Sequence, residues 1–119
     1  MALTSEYETL TLKRLDEHIL CVTFDRAHRA NAMNTQMGLD LRQVFMELYV
    51  DLEDVRCVVV TGQGQKAFSA GGDLKDRNGM TDQQWMHQHA IYEQMVRHLR
   101  DCPVPVTVSY THLTLPTKA

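Results

Sequence analysis

Near the middle of the chain, Lys66-Ala67-Phe68-Ser69-Ala70-Gly71-Gly72-Asp73-Leu74-Lys75 has the residue types that chemistry on a carbonyl group requires. It comes shortly after a β-branched run, Cys57-Val58-Val59-Val60-Thr61, and before a segment of helical character. A buried strand that ends in small residues and glycines lets the backbone approach a ligand closely. Glycines there also leave backbone N–H groups free to point at an oxygen. Alone, Gly71-Gly72 reads more simply as a tight turn, so its surroundings decide. Asp73 invites a general-base role, but a local hydrogen bond or a cap on the following turn is the simpler reading. Paired catalytic carboxylates cannot be assigned. The six histidines do not make a metal site. His87 and His89 are two apart on a predicted helix and share no face, so metal ligands are not expected.

Those surroundings carry further landmarks. Val22-Thr23-Phe24-Asp25-Arg26-Ala27-His28-Arg29-Ala30-Asn31-Ala32-Met33-Asn34 precedes the glycines, and Arg56 to Gly62 leads toward them. Pro103-Val104-Pro105-Val106 follows. In this order the segments resemble the enoyl-CoA hydratase/isomerase, or crotonase, family from about Tyr7 to Val106. Leu74-Lys75-Asp76-Arg77 with Met80 is most similar to the short-chain enoyl-CoA and methylglutaconyl-CoA hydratases. Ala27 stands where the family usually has proline.

The resemblance implies an acyl-CoA thioester as partner, with coenzyme A part of the substrate and no separate cofactor. Two N–H donors converging on the thioester oxygen would stabilise an enolate-like transition state. By resemblance Gly72 supplies one. The other donor, and the glutamates that distinguish a hydratase from an isomerase, belong to family segments after Val106. The resemblance further implies that Arg26, His28 and Arg29 contact CoA phosphates, with Ala30 and Ala32 packing the backbone closely. Ala70 matches the position whose carbonyl receives the adenine amine, and Gly71 adjoins it in the CoA-binding stretch. Lys75 would reach a phosphate as a flexible point charge, or stand as a solvated surface charge. Leu74 and Met80 would line the acyl pocket or fill core.

Positioning these residues needs a small set of elements. Tyr7 to Leu12 reads as a strand with Leu10 and Leu12 on one face, Leu15 to His18 as a turn, and Ile19 to Phe24 as the second strand of a hairpin. Asn34 is a good N-cap. After it Met37, Leu41, Val44, Phe45, Leu48 and Leu52 form one helical stripe, which reads as core. Arg56 to Thr61 reads as a short strand buried on both faces. Thr81 to Gln84 has the form of a capping box. Trp85, His89, Tyr92, Val96 and Leu99 then follow helical spacing, with Met95 adjoining, until Pro103 ends the helix. The periodicity gives an α/β chain. The resemblance adds the fold: the N-terminal portion of a crotonase-like spiral of ββα repeats.

With 119 residues the chain is at most one domain. Its 44% hydrophobic and 23% charged residues are ordinary for a globular protein. No apolar run approaches the roughly 18 residues that span a bilayer, and no signal sequence is visible, so a cytoplasmic location without a membrane partner is expected. A net charge of −3 without a long basic run argues against nucleic acid. Cys21, Cys57 and Cys102 lack C-x-x-C spacing and read as buried free thiols.

After Val106 the resemblance stops. Val108-Ser109-Tyr110-Thr111-His112-Leu113-Thr114-Leu115-Pro116-Thr117 resembles one translated frame of a transposon-type sequencing adapter. Residues 1–107 are therefore expected to be a truncated N-terminal part of the domain, and residues 108–119 an adapter-derived tail excluded from fold reasoning. A homotrimer or hexamer is expected only for a full-length parent, and the chain as it stands is expected to be an inactive fragment.

Overall fold

The computed structural model describes residues 6–64, 69 and 71–109. β1 (Leu10–Asp16) and β2 (Ile19–Phe24) form an antiparallel hairpin in which Leu10 faces Phe24 and Arg14 faces Leu20. β1 begins later and runs further than its sequence pattern predicts. The Thr9 N–H is taken by the Asp40 carboxylate at 3.0 Å, which competes with ladder pairing at that end. At the other end a register shift between Arg14 and Asp16 lets pairing continue to Asp16, whose carboxylate accepts from the His18 N–H at 2.7 Å. The turn is thereby confined to Glu17-His18.

Asn34 caps α1 (Thr35–Val50), its side chain accepting from the Met37 N–H at 2.9 Å. Met37, Leu41, Val44, Phe45 and Leu48 are buried in one core with Leu20, Val22, Phe24, Val58 and Val60 of the sheet. The helix returns the chain to β3 (Cys57–Gly62), parallel to β2 with Val22 beside Val60. β4 (Val106–Val108) pairs parallel to β3, giving the sheet order β1-β2-β3-β4. β3 is not buried on both faces as its sequence predicts. Val58, Val60 and Gly62 are covered, while Cys57, Val59 and Thr61 stay half-buried, because α1 covers only one side of the sheet. At the end of β4, the Ser109 N–H donates to the Val60 carbonyl at 2.9 Å, while Val108 is 41% exposed.

The capping box forms: the Gln84 N–H donates to Thr81 Oγ1 and the Gln84 side chain accepts from the Thr81 N–H. It starts α3 (Asp82–Arg100), which lies against α1. Its buried residues are Gln88, Ile91 and Met95. Of the residues at helical spacing, Leu99 packs against the core and Tyr92 is half-buried, while Trp85, stacked on His89, and Val96 are exposed. Contact with α1 sets the rotation of the helix. At Gly38 of α1 an added Cβ would lie 2.8 Å from the Tyr92 ring and 3.3 Å from Ile91. Only glycine leaves that room. Two short elements complete the fold: a 3-10 turn at Ala27–Arg29, which the sequence pattern did not predict, and the single-turn α2 (Leu74–Arg77), the turn that Asp73 was expected to cap. Cys21, Cys57 and Cys102 are free thiols, but only Cys21 is buried.

Candidate active site

The loop leaving β2 folds back on itself around one buried side chain. Asn31 Oδ1 accepts from the Arg26 N–H at 2.9 Å and its Nδ2 donates to the Gln63 carbonyl at 2.8 Å. Asn31 thus ties the loop after β2 to the end of β3. Ala30 and Asn31 take left-handed backbone conformations, φ 53° and 54°, which non-glycine residues adopt only when the surroundings fix them. The Ser69 hydroxyl donates to the Asn31 carbonyl at 2.9 Å and accepts from the Gly71 N–H at 3.2 Å.

The same loop then meets the glycines as a one-residue parallel bridge between Met33 and Gly72. The Met33 N–H donates to the Gly71 carbonyl at 2.6 Å, and the Asp73 N–H donates to the Met33 carbonyl at 2.8 Å. Because Met33 engages the residues on either side, the N–H of Gly72 points away from it. Gly72 is exposed, and no described group accepts from its N–H. The loop thereby presents a donor fixed on both sides and free at its tip.

Asp73 holds the next turn. Its Oδ1 accepts from the Lys75 and Asp76 N–H groups at 3.0 and 3.2 Å, capping α2. Its Oδ2 accepts from Arg26 at 3.1 Å. Burial by itself would raise the Asp73 carboxyl, but the Asp76 N–H, the Arg26 side chain and the charge of Arg29 together hold it below its ordinary value. Asp73 is therefore an ionised structural anchor and not a base, in keeping with the capping reading. Arg26 is only 8% exposed and also donates to the Ala32 carbonyl. The phosphate contact expected of Arg26 is corrected on that ground: its guanidinium is turned inward and occupied.

The other expected residues fall as follows. His28 is exposed on the 3-10 turn and Arg29 is half-buried beside Asp73, while Lys75 is exposed on α2. Arg29 is thus close enough for its charge to act on the Asp73 carboxylate, whereas Lys75 meets Asp73 through its backbone N–H. Ala30 is half-buried and Ala32 is buried. Gly71 adopts φ 88°, with nothing near the position of a Cβ. Ala70 lies outside the described residues. Leu74 is 78% exposed and fills no core. Met80 lines a cavity of about 720 Å³ with Thr35, Asp76, Asn78, His87 and Gln88 among its walls. Neither Gly72 nor Leu74 is among the residues that line it.

Two supporting residues were not found by sequence reasoning. The Tyr92 hydroxyl donates to the Met33 carbonyl at 3.3 Å, tying α3 to the strand that holds Gly72. Burial, followed by the nearby Asp76 charge, raises its phenol above the ordinary value. Gln88, only 2% exposed, donates to Asp76 Oδ2 at 2.7 Å and Thr35 Oγ1 at 2.8 Å, joining α1, α2 and α3. A glutamine within a predicted apolar helix face was the available signal for the second, and a glycine inside a strong helical stripe was that for the first.

The chain is thus an α/β unit with β2–α1–β3 and β3–α3–β4 crossovers and Gly71-Gly72 beyond its third strand. The sequence profile described as enoyl-CoA hydratase/isomerase matches residues 14–110, and the chain belongs to that family. A Bacillus subtilis protein described as an enoyl-CoA hydratase/isomerase, YngF, is 33% identical over 91 residues, covering 76% of this chain and 35% of its own length. The 1,2-epoxyphenylacetyl-CoA isomerase of Escherichia coli is 31% identical over 99 residues, covering 80% of this chain and 37% of its own length. The enoyl-CoA hydratase of Bacillus anthracis superposes with a TM-score of 0.80 at 26% identity, over 85% of this chain and 39% of that one. The architecture is therefore that of a partial crotonase fold, as the sequence led one to expect, and the chain spans little more than a third of its relatives' length.

Proposed function

We propose that this chain carries the carbonyl-polarising part of an enoyl-CoA hydratase site, in which the Gly72 N–H donates to the thioester oxygen of an acyl-CoA. One observation supports this above the others: the bridge to Met33 uses Gly71 and Asp73 and leaves the Gly72 N–H outward and unpaired among the described residues. A donor fixed before the substrate arrives costs no reorganisation when negative charge develops on that oxygen. Arg29, His28 and Lys75 border the loop and α2 and are the candidates for the CoA phosphates. Met80 and its cavity are the candidate for part of the acyl site.

Acid–base chemistry is a separate requirement. Hydration needs water held between an acid and a base, and Asp73 is committed to Arg26 and the α2 cap. The carboxylates for that step would lie in the portion of the relatives' length that this chain does not span, and they decide between hydration and isomerisation. Similarity to an isomerase keeps the second reaction as the alternative.

A conjugated enoyl-CoA bound to the protein tests the donor. Polarising its carbonyl shifts the chromophore to longer wavelength, and no turnover is needed. Gly72→Pro removes the N–H and should abolish the shift. Gly72→Ala retains the N–H, and its Cβ would meet only the movable Arg77 guanidinium, at 3.2 Å, so the shift should survive. An undiminished shift in folded Gly72→Pro would refute the assignment.

A further inference from the structure

Tyr92 reaches the glycine loop from a helix that is anchored elsewhere. Its hydroxyl donates to the Met33 carbonyl at 3.3 Å, and the same carbonyl accepts from the Asp73 N–H at 2.8 Å. A carbonyl oxygen has two lone pairs, so both donors can be held at once. They meet at the residue that bridges Gly72. The Asp73 contact belongs to the loop and moves with it. The Tyr92 contact does not, because α3 is fixed by buried Ile91 and Met95 and by Gln88, which donates to Thr35 and Asp76 one turn before Tyr92. The ring is seated as well as tethered. A Cβ at Gly38 would lie 2.8 Å from two ring carbons of Tyr92, so the ring edge lies on the backbone of α1. Burial, followed by the nearby Asp76 charge, raises the phenol above its ordinary value, which keeps the hydroxyl protonated as a donor.

We infer that Tyr92 is a positioning residue that sets the direction of the Gly72 N–H by holding the Met33 carbonyl from outside the glycine loop. The inference rests on the reading of Gly72 as the thioester-oxygen donor. The local backbone shows why an outside hold is needed. Ala30 and Asn31 are left-handed, and the bridge to Gly72 is a single residue pair with no strand to stiffen it. Tilting the Met33 carbonyl would carry the Asp73 N–H with it and swing the Gly72 peptide beside it. A donor of this kind acts within about 2.7–3.1 Å of the developing charge, and a misplacement of about 1 Å can cost about 10²-fold in rate. At 3.3 Å the Tyr92 contact is longer than the usual O–H···O bond, so its loss should cost aim and little stability. The plainer reading, that Tyr92 only fills the seam between α1 and α3, concerns the ring and not the hydroxyl.

Tyr92→Phe separates the two, because it keeps the ring and removes only the donor. The full chain is saturated with a conjugated enoyl-CoA, and the wavelength shift of the bound chromophore is read beside amide exchange at Asp73 and the urea midpoint. Tyr92→Phe should bind the thioester with a clearly smaller shift. Exchange at Asp73 should be about 2–10-fold faster, the net worth of one hydrogen bond, while the urea midpoint stays close to that of the wild type. Gly38→Ala, which pushes the ring off its seat, should by itself also reduce the shift, but should reduce it no further in Tyr92→Phe. If the two substitutions add, or if shift and exchange in Tyr92→Phe match the wild type, the inference falls while the Gly72 reading stands. A collapse of the urea midpoint in Tyr92→Phe makes the hydroxyl a structural tie and has the same consequence. No shift in the wild type overturns both.

Discussion

Replacing Asp73 by Asn separates the two tasks of this carboxylate, because asparagine is itself a good helix cap but cannot pair with Arg26. The side chains of Arg26 and Asp73 are 10% and 6% exposed, with nitrogen and oxygen 3.1 Å apart. At an effective dielectric constant of about 20, that separation corresponds to a gross attraction of about 5 kcal/mol. Desolvation of both ions takes back much of it. Immediate neighbours cover the pair, yet it adjoins exposed Gly72 and Leu74, so it belongs between surface pairs, at about 0–1 kcal/mol, and fully buried pairs broken on one side, at about 3–5 kcal/mol. Asp73→Asn should therefore destabilise the fold by about 2 kcal/mol, and Asp73→Ala by about 1 kcal/mol more as the α2 cap is lost.

Urea unfolding is the assay, extended to the double variant Arg26→Met/Asp73→Asn. Removing both charges leaves no orphan, so the double variant should lose less than the sum of its singles. The pH dependence has a definite sign. The Asp73 carboxyl is held below its ordinary value in the fold, so its stabilisation is present above the unfolded-state pKa of about 4 and fades as pH falls through the folded value. That acid-labile component should vanish in Asp73→Asn. An Asp73→Asn midpoint within about 0.5 kcal/mol of wild type, or strict additivity in the double variant, would refute the argument that this pair anchors the glycine loop.

Two further outcomes follow from the helices and the first strand. Gly38→Ala gains about 1 kcal/mol of helix propensity but drives a Cβ to 2.8 Å from the Tyr92 ring. Overpacking of this kind costs about 1–3 kcal/mol, so urea titration should show a net loss that Tyr92→Leu relieves; a Gly38→Ala protein more stable than wild type would contradict the notch. The Tyr7 phenol is pushed up to about 12 by burial and then by Glu47 and Asp40. Being raised in the fold, it contributes stability that is intact below the unfolded value near 10 and declines above it. A spectrophotometric titration compared between wild type and Tyr7→Phe should assign one late-ionising phenol to Tyr7, alongside the raised phenol of Tyr92, and Tyr7→Phe should remove that alkaline loss of stability.

What the sequence made legible was local. Asn34 and the Thr81–Gln84 pair cap helices through atoms three residues away, so their types and spacing suffice. The stripe from Met37 to Leu48 is one helical face, and it packs as such. Asp73 was legible as a cap for the same reason. The misplaced features depend on partners far along the chain. Arg26 reads as a free cation until the β2–β3 register and the Met33–Gly72 bridge bring Asp73, 47 residues on, beside it. The spacing along α3 gave a helix without saying which face is buried, because the notch at Gly38 and the hydrogen bonds of Gln88 set the helix rotation. Neither leaves a periodic signal.

The candidate site shows why its position was readable when its side chains were not. The proposed donor is a backbone N–H, and a backbone donor depends on what the chain can do at that point, which Gly71-Gly72 after a β-branched strand announces. Side-chain recognition depends on what the fold leaves unpaired. Lys75 and Arg77 are two residues apart with the same sign of charge, and nothing in their spacing ranks them. The fold does: Lys75 is exposed on α2, whereas Arg77 lies against Gly72 with a buried Nε that has no acceptor among the described residues. Asp73 and Asp76, the acids nearest to it, are drawn off by Arg26 and Gln88. The network that fixes the glycine loop thus engages Asp73 and Asp76 and leaves Arg77 without a carboxylate partner among the described residues, a difference that only the folded chain sets.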